Sequence, residues 1–560
     1  MKIFWILVVA CHLALRASSA QPASSNIFEN ATSVTPPTAL DKIIDRKLSK
    51  LGIHPAFCSD AVFVRRAYMD VIGTLPTADE ARDFILDPDP DKRVALIDRL
   101  LTRPEFADYW AMKWSDLLRV KAEFPVNLWP NAAQAYYHWI RTSVRDNQPY
   151  DRFAREMLTA NGSNFRVGPV NFYRAIQNRT PEGIATTVAL TFMGTRADTW
   201  PSNRLAGMAV FFSQVTYKPT REWKEEVVFW DSDKDLAPPA AAVAPALTNG
   251  TNRVSAAAGN VLPPAVTAPS PPFRSGPLMA VFPDGTKIKL PPDRDPREIF
   301  ADWLIAPRNP WFTLNIANRA WSWLMGRGII HEPDDIRPDN PPSNPALLKC
   351  LEKQLVVSHY DMRQLFRLIL TSRAYQYSSI VPKAGVPAGE SQFAFYPLRQ
   401  LDAEVLIDAI NRITGSSDLY TSPIPEPFTF IPDNKPAIAL PDGSITSAFL
   451  ELFGRPARAT GMENERVNRP SPSQRMHLLN SSHIQRKIEE SAALKSLTNP
   501  ARKPREVVDD LFLTILSRYP TADELKIADA YAKSGVADGR GAGLDLVWAL
   551  INSEEFRHRH

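Results

Sequence analysis

The densest group of chemically capable side chains lies in one passage, Asn318 to Leu348, NRAWSWLMGRGIIHEPDDIRPDNPPSNPALL. Asp334, Asp335, Asp339 and Asn340 crowd together there, preceded by Arg319 and Arg327. Hard oxygen ligands at this density could hold Ca²⁺, which accepts carboxylates and amide carbonyls at flexible spacing. Paired carboxylates could instead perform acid/base work on a glycosidic bond. The same residue types also cap helices and tie turns, with arginines to neutralise them. The run from Asn340 to Pro345 fits that plainer reading, as a rigid loop leading into a helix at Pro345.

A second group, Glu463, Glu465, Arg466 and Arg469, alternates in charge. A carboxylate pair flanked by arginine could bind an anionic ligand. Alternating charges more often form an ion-pair network. Elsewhere the familiar signatures are missing. His54, His138, His331, His359, His477 and His483 show no His-x-x-x-His spacing, and His477 reads as a packing or capping residue. There is no Gly-x-Ser-x-Gly elbow and no phosphate-cradling loop. The residues therefore support either an enzyme or a binding protein.

The elements that must position these groups are helices. From Asp41 onward Ile43, Ile44, Leu48 and Leu51 share a face, and Gly52 suits the helix end. Similar amphipathic stretches recur at about 60–72, 77–86, 91–102, 104–121, 130–146 and 150–160. They resume at 296–305, 310–325, 344–357, 361–374 and 402–414, and again at 472–490, 504–517, 521–533 and 540–552. Between 279 and 290, MAVFPDGTKIKL reads as a small β-hairpin turning at Pro283-Asp284-Gly285. Phe106, Trp110 and Trp114 are spaced four apart on one helix face, which suits core packing, or else a sugar platform if they are exposed.

Leu75-Pro76-Thr77-Ala78-Asp79-Glu80 is echoed by Tyr519-Pro520-Thr521-Ala522-Asp523-Glu524, each followed some thirty residues later by a Glu-Phe pair, Glu105-Phe106 and Glu555-Phe556. Thr with Glu three residues on is a capping box, a structural device whether or not the unit is duplicated.

A chain of 560 residues exceeds what one core usually serves, so two helical domains are expected, 41–236 and 276–560. The segment 237–275, rich in Ala and Pro and without Asp or Glu, reads as the linker between them. Proline, at 50 residues, predicts many punctuated helices. A net charge of +4, with no basic run interleaved with aromatics, makes nucleic acid a poor partner.

Residues 1–20 carry one Lys, a short apolar run and small residues at the end, the pattern of a secretory signal peptide, and 21–40 read as a flexible lead-in. The apolar run is too short for a stable membrane span, and a retained anchor is the alternative to a cleaved signal. An extracytoplasmic location, periplasmic or secreted, follows. Cys58 and Cys350 then sit where a bridge is permitted, but two buried free thiols are an equal alternative.

Three passages carry a resemblance. Arg65 to Val120, beginning RRAYMDVIGTLPTADEARDF, resembles the opening domain of a large secreted bacterial family of planctomycete type. Asp295 to Leu304 and the passage from Asn318 resemble its second domain, as do Phe453-Gly454-Arg455-Pro456 and Met476-His477-Leu478-Leu479-Asn480-Ser481. The family pairs two domains of unknown function and is associated with cytochrome c-like domains in many relatives. Those relatives carry Cys-x-x-Cys-His after a Phe-Leu-Gly turn, the attachment motif of c-type haem. Here the corresponding region, Thr191 to Trp200, holds neither Cys nor His, so haem is not expected as a cofactor. Cysteines that relatives place before a Glu-Arg pair are likewise absent around Gly461 to Arg466. The resemblance implies a binding or scaffolding role in extracytoplasmic handling of polymers such as glycans, with polysaccharide or other exported proteins as partners. The alternative is an enzyme acting on a polysaccharide or anionic substrate through the Asp/Arg cluster.

Overall fold

The structure, a computed structural model, describes residues 26–30, 35–234, 278–381, 386–499 and 501–560. The expected signal segment 1–20 and the expected linker 237–275 lie outside the described residues. The protein is mainly α-helical, and helices stand where the apolar periodicity places them. Asp60–Val71, Ala78–Leu86, Pro104–Leu117, Pro130–Arg145, Phe312–Met325, Pro345–Val357 and Ala403–Thr414 are examples. Proline at the first turn starts many of them, because its missing N–H is unneeded there. The stretch 472–490 is two helices rather than one, Pro472–Asn480 and Ser482–Glu490.

The expected hairpin forms, with Met279–Val281 antiparallel to Lys287–Lys289 and Gly285 at φ +90° in the turn. Strand structure goes beyond it. Glu226–Trp230 pairs with both Gly162–Ser163 and Val215–Pro219 in a three-stranded antiparallel sheet, with Tyr217 opposite Val228. Five-residue strands of mixed composition carry too little alternation to stand out in the sequence.

The segments on either side of 237–275 share one continuous apolar core. Trp110 stacks on Phe366 at 4.2 Å between ring centroids, and Trp323 packs against both Trp110 and Trp114 at 5.4 and 5.5 Å. The Phe106/Trp110/Trp114 face is therefore buried core. Two adjacent arginines fasten the same junction. Arg65 Nη1 and Nη2 donate to the carbonyls of Ile515 (2.7 Å) and Phe556 (2.9 Å). Arg66 donates to Tyr375, Tyr377 and His560 carbonyls. Both side chains are buried, so these carbonyls take the place of the water that the guanidinium groups lose.

Both members of the Thr-x-x-Glu echo are capping boxes, at Thr77/Glu80 and Thr521/Glu524. Each Glu also meets an arginine shared with the later acid. Arg103 pairs with Glu80 and Glu105, and Arg518 with Glu524 and Glu555. Cys58 and Cys350 are free thiols.

Candidate functional site

The helix Ala403–Thr414 begins with two acids, Asp402 at its N-cap and Glu404 in its first turn, where the helix dipole favours negative charge. Both are buried, so each needs partners. Asp402 accepts Lys113 Nζ at 2.9 Å, Arg559 Nη2 at 2.8 Å and Asn468 Nδ2 at 2.8 Å. Glu404 is met by Arg466 Nη1 at 2.7 Å and Arg455 Nε at 3.2 Å. Arg466 continues to Asp116 (2.6 Å), which also takes Arg458 Nε (2.9 Å). Burial alone would raise the Asp402 carboxyl, but Lys113, Arg559 and Arg466 outweigh it and hold it well below the usual range. Glu404 is likewise brought down to about 2, against the effect of burial, by Arg466 and Arg455.

Lys113, Asp402, Arg466, Asn468 and Arg559 of this network line a cleft of about 830 Å³. Lys113 comes from the N-terminal segment, Ser322 and Trp323 from the helix Phe312–Met325, Arg399 and Asp402 from the approach to Ala403–Thr414, and Glu463 and Arg466 from the following loops. Residues 554–560 supply another part of the wall, including Glu554, Glu555, His558 and Arg559. Arg399 stands over the end of Phe312–Met325, donating to the carbonyls of Trp323 and Leu324 at 3.0 and 2.9 Å.

The two polar groups picked out in the sequence meet beside this cleft, in part. Arg319 Nη2 donates to Asp334 at 2.7 Å, and its Nη1 stands 3.5 Å from Glu463. Glu463 also accepts Trp323 Nε1 at 3.1 Å, and 31% of its side chain remains exposed. Burial raises the Glu463 carboxyl, with Asp334 adding to the effect and Arg319 opposing it. Glu463 and Arg466 line the cleft; Arg319 and Asp334 support it from behind.

The remaining expected residues do not converge there. Glu465 ties its own loop, accepting Ala459 N at 2.8 Å and Thr460 N at 3.1 Å. Asp335 and Asp339 pair with Arg337, and Asn340 Nδ2 closes a turn on the carbonyls of His331 and Asp335. Arg327 faces Glu390 at 3.6 Å. Asp334, Asp335 and Asp339 thus do not form the shared oxygen shell that Ca²⁺ would need. Among the described residues, no group of three or more His, Cys, Asp or Glu is placed to hold a metal ion.

The loop carrying those acids has a different role. Ile336 N donates to Gly194 O at 2.8 Å, and Thr195 Oγ1 donates to Ile336 O at 3.1 Å. Asn315 Nδ2 reaches Thr191 O at 3.1 Å. The loop therefore docks on the Phe192-Met193-Gly194 turn of the N-terminal segment, the region where relatives are expected to carry a haem motif.

Lys113, Arg399, Asp402 and Arg559 are cleft residues that the sequence reading missed, as are Asp116 and Glu404 in the charge network behind them. Asp402 and Glu404 look like ordinary first-turn acids of a helix. A signal did exist, because Asp402 to Ile410 is otherwise almost wholly apolar and two acids at its head are set to be buried.

Two family models match the chain. The one described as PSCyt2, protein of unknown function (DUF1549), covers residues 39–202, and the one described as PSD1, protein of unknown function (DUF1553), covers residues 296–532. No curated protein and no solved structure matches it.

Proposed function

We propose that this chain, which belongs to the family pairing these two domains of unknown function, is an exported binding protein whose cleft takes a stretch of a hydroxyl-rich polymer such as a polysaccharide. The observation that carries the reading is the composition of the cleft. Lys113, Arg399, Arg466 and Arg559 are balanced there by Asp402, Glu463, Glu554 and Glu555, around the indole of Trp323. A polyanion would call for an excess of cations. Mixed donors and acceptors with an aromatic edge suit a ligand that both donates and accepts hydrogen bonds. The signal-like residues 1–20 support export. Among the described residues no helix is long and apolar enough to cross a membrane.

The test is calorimetric titration of the protein with neutral and sulfated oligosaccharides of several chain lengths. Binding of a neutral oligosaccharide, lost in Ser322→Trp, which places an indole at the cleft wall, supports the reading. It fails if no neutral oligosaccharide binds, or if Ser322→Trp binds as the wild type does.

A second reading rests on a separate observation. Asp402 and Glu463 line one cleft with their carboxyl groups pushed in opposite directions, the pattern by which a base and an acid are distinguished. Glycoside cleavage with Glu463 as proton donor is the corresponding activity. The donors already occupying Asp402 make it a poor nucleophile, which favours binding. Release of new reducing ends by the wild type and not by Glu463→Gln would decide for the enzyme.

A further inference from the structure

We propose that the corner between the helices Pro472–Asn480 and Ser482–Glu490 is a binding site for a borderline divalent transition metal ion, Zn²⁺ or Cu²⁺, held by His477 Nε2 and His483 Nδ1. The proposal does not depend on the cleft or on what it binds.

The corner follows from local sequence. Ser481 ends one helix and caps the next, donating its N–H to His477 O at 3.0 Å and accepting Ile484 N at 3.3 Å through its hydroxyl. The chain turns there without a loop, so the last turn of one helix lies beside the first turn of the next. Residues six apart, which one continuous helix would set on different faces, thereby meet.

The geometry is that of a ligand pair. His477 Nε2 and His483 Nδ1 stand 3.4 Å apart, long for a hydrogen bond between imidazoles, with the rings inclined at 64°. Two nitrogens each about 2.0–2.1 Å from a tetrahedral metal are separated by roughly 3.3 Å, so an ion fits between them with little movement. The tautomer is set from the other side. His483 Nε2 lies 2.8 Å from Asp418 Oδ1, so it carries the proton there and leaves the Nδ1 lone pair facing His477. A carboxylate behind a ligating imidazole is the outer-shell arrangement of many metal sites.

Asp418 is itself fixed. It is delivered by the chain leaving the helix Ala403–Thr414 through Gly415, at φ +62°, and it is paired with Lys487 Nζ at 3.1 Å. Lys487 is held in turn by Asn411 Oδ1 and Ser417 O at 2.7 and 2.8 Å. Stacked Phe449 and Phe453 present a wall to the His477 ring. With two protein ligands the remaining positions fall to water, which makes this an open site rather than a closed structural one.

The test uses the whole protein without a histidine tag, titrated calorimetrically with ZnCl₂ and with CuCl₂ near neutral pH. One ion per chain is expected for either metal, with binding lost in His477→Gln and in His483→Gln. Asp418→Asn, which keeps the shape but weakens the outer shell, is expected to bind about ten- to a hundredfold more weakly. Electron paramagnetic resonance of the wild type with one equivalent of Cu²⁺ should show two imidazole nitrogens, a readout that does not depend on any variant folding. Uptake in the wild type no greater than in the His477→Gln/His483→Gln double variant, or a copper spectrum with fewer than two imidazole nitrogens, overturns the proposal.

Discussion

The carboxylate of Asp334 accepts the backbone N–H of Glu463 at 2.6 Å while its other oxygen takes Arg319 at 2.7 Å. Two polar groups that the sequence keeps 129 residues apart are thereby one unit. Asp334 orients the loop that presents Glu463 and Arg466 to the cleft, and Arg319 neutralises both acids from the core side. Of the crowded acids near it, Asp334 alone is buried, and its effect on the cleft is positional.

Removing that carboxylate leaves Arg319, which is 1% exposed, without its nearest anion. Asp334→Ala is expected to lower the unfolding free energy by about 3–5 kcal/mol, the usual result of breaking a buried pair on one side. Asp339→Ala, on an exposed side chain, should change it by less than about 0.5 kcal/mol. Urea denaturation of the two variants checks the contrast, and equal effects would contradict the placement.

Acid should loosen the junction around the cleft. Asp402 is held well below the ordinary range and Glu404 is brought down to about 2, so in the folded state both stay ionised where the unfolded chain already binds protons. Their contribution is complete above the unfolded values near pH 4 and is lost as pH falls through the folded ones. Stability measured between pH 5 and pH 2 should drop steeply, and Asp402→Asn should reduce that slope.

Asp408 predicts a second dependence, of opposite sign. Burial raises its carboxyl to about 7, with Glu404 and Asp418 adding to the shift, although Ala437 N and Ile438 N donate to it. Below about pH 4 both folded and unfolded chains hold the proton; between there and 7 only the folded chain does. This group therefore makes stability decline as pH rises from about 4 to 7 and adds no further change above that. Asp408→Asn should flatten the decline in denaturation series across that range.

At Gly194 the backbone sits at φ +61°, and an added Cβ would stand 2.6 Å from Asn315 Oδ1 and 2.8 Å from Pro333 O. Gly194→Ala combines left-handed strain with overpacking, and an expected cost of about 2–4 kcal/mol follows. Because this turn is where the 333–336 loop docks, limited proteolysis should cut that loop faster in the variant than in the wild type.

The helices were legible because their information is local. Apolar spacing, first-turn prolines and Thr-x-x-Glu boxes mark Asp60–Val71 and Ala522–Lys533 almost to the residue and fix the start of Pro104–Leu117, which ends short of the expected 121. The three-stranded sheet was not legible, since its short strands lack alternation. The Asp/Asn-rich passage was visible as polar density. Density alone does not separate Asp334, which is buried against Arg319, from Asp335 and Asp339, which pair with Arg337 at the surface.

By itself the sequence determined the mainly helical class, the pairing of two domains and the absence of a Cys-x-x-Cys-His motif, all of which rest on residue identity and short-range periodicity. Only the tertiary structure decided that Lys113, Asp402, Glu463 and Arg559 meet at one cleft and that His477 and His483 face each other across a helix corner. The physical reason is that a buried charge is placed by the partners that replace its water. For Asp402 two of those partners, Lys113 and Arg559, arrive from 289 and 157 residues away, separations that no local pattern encodes.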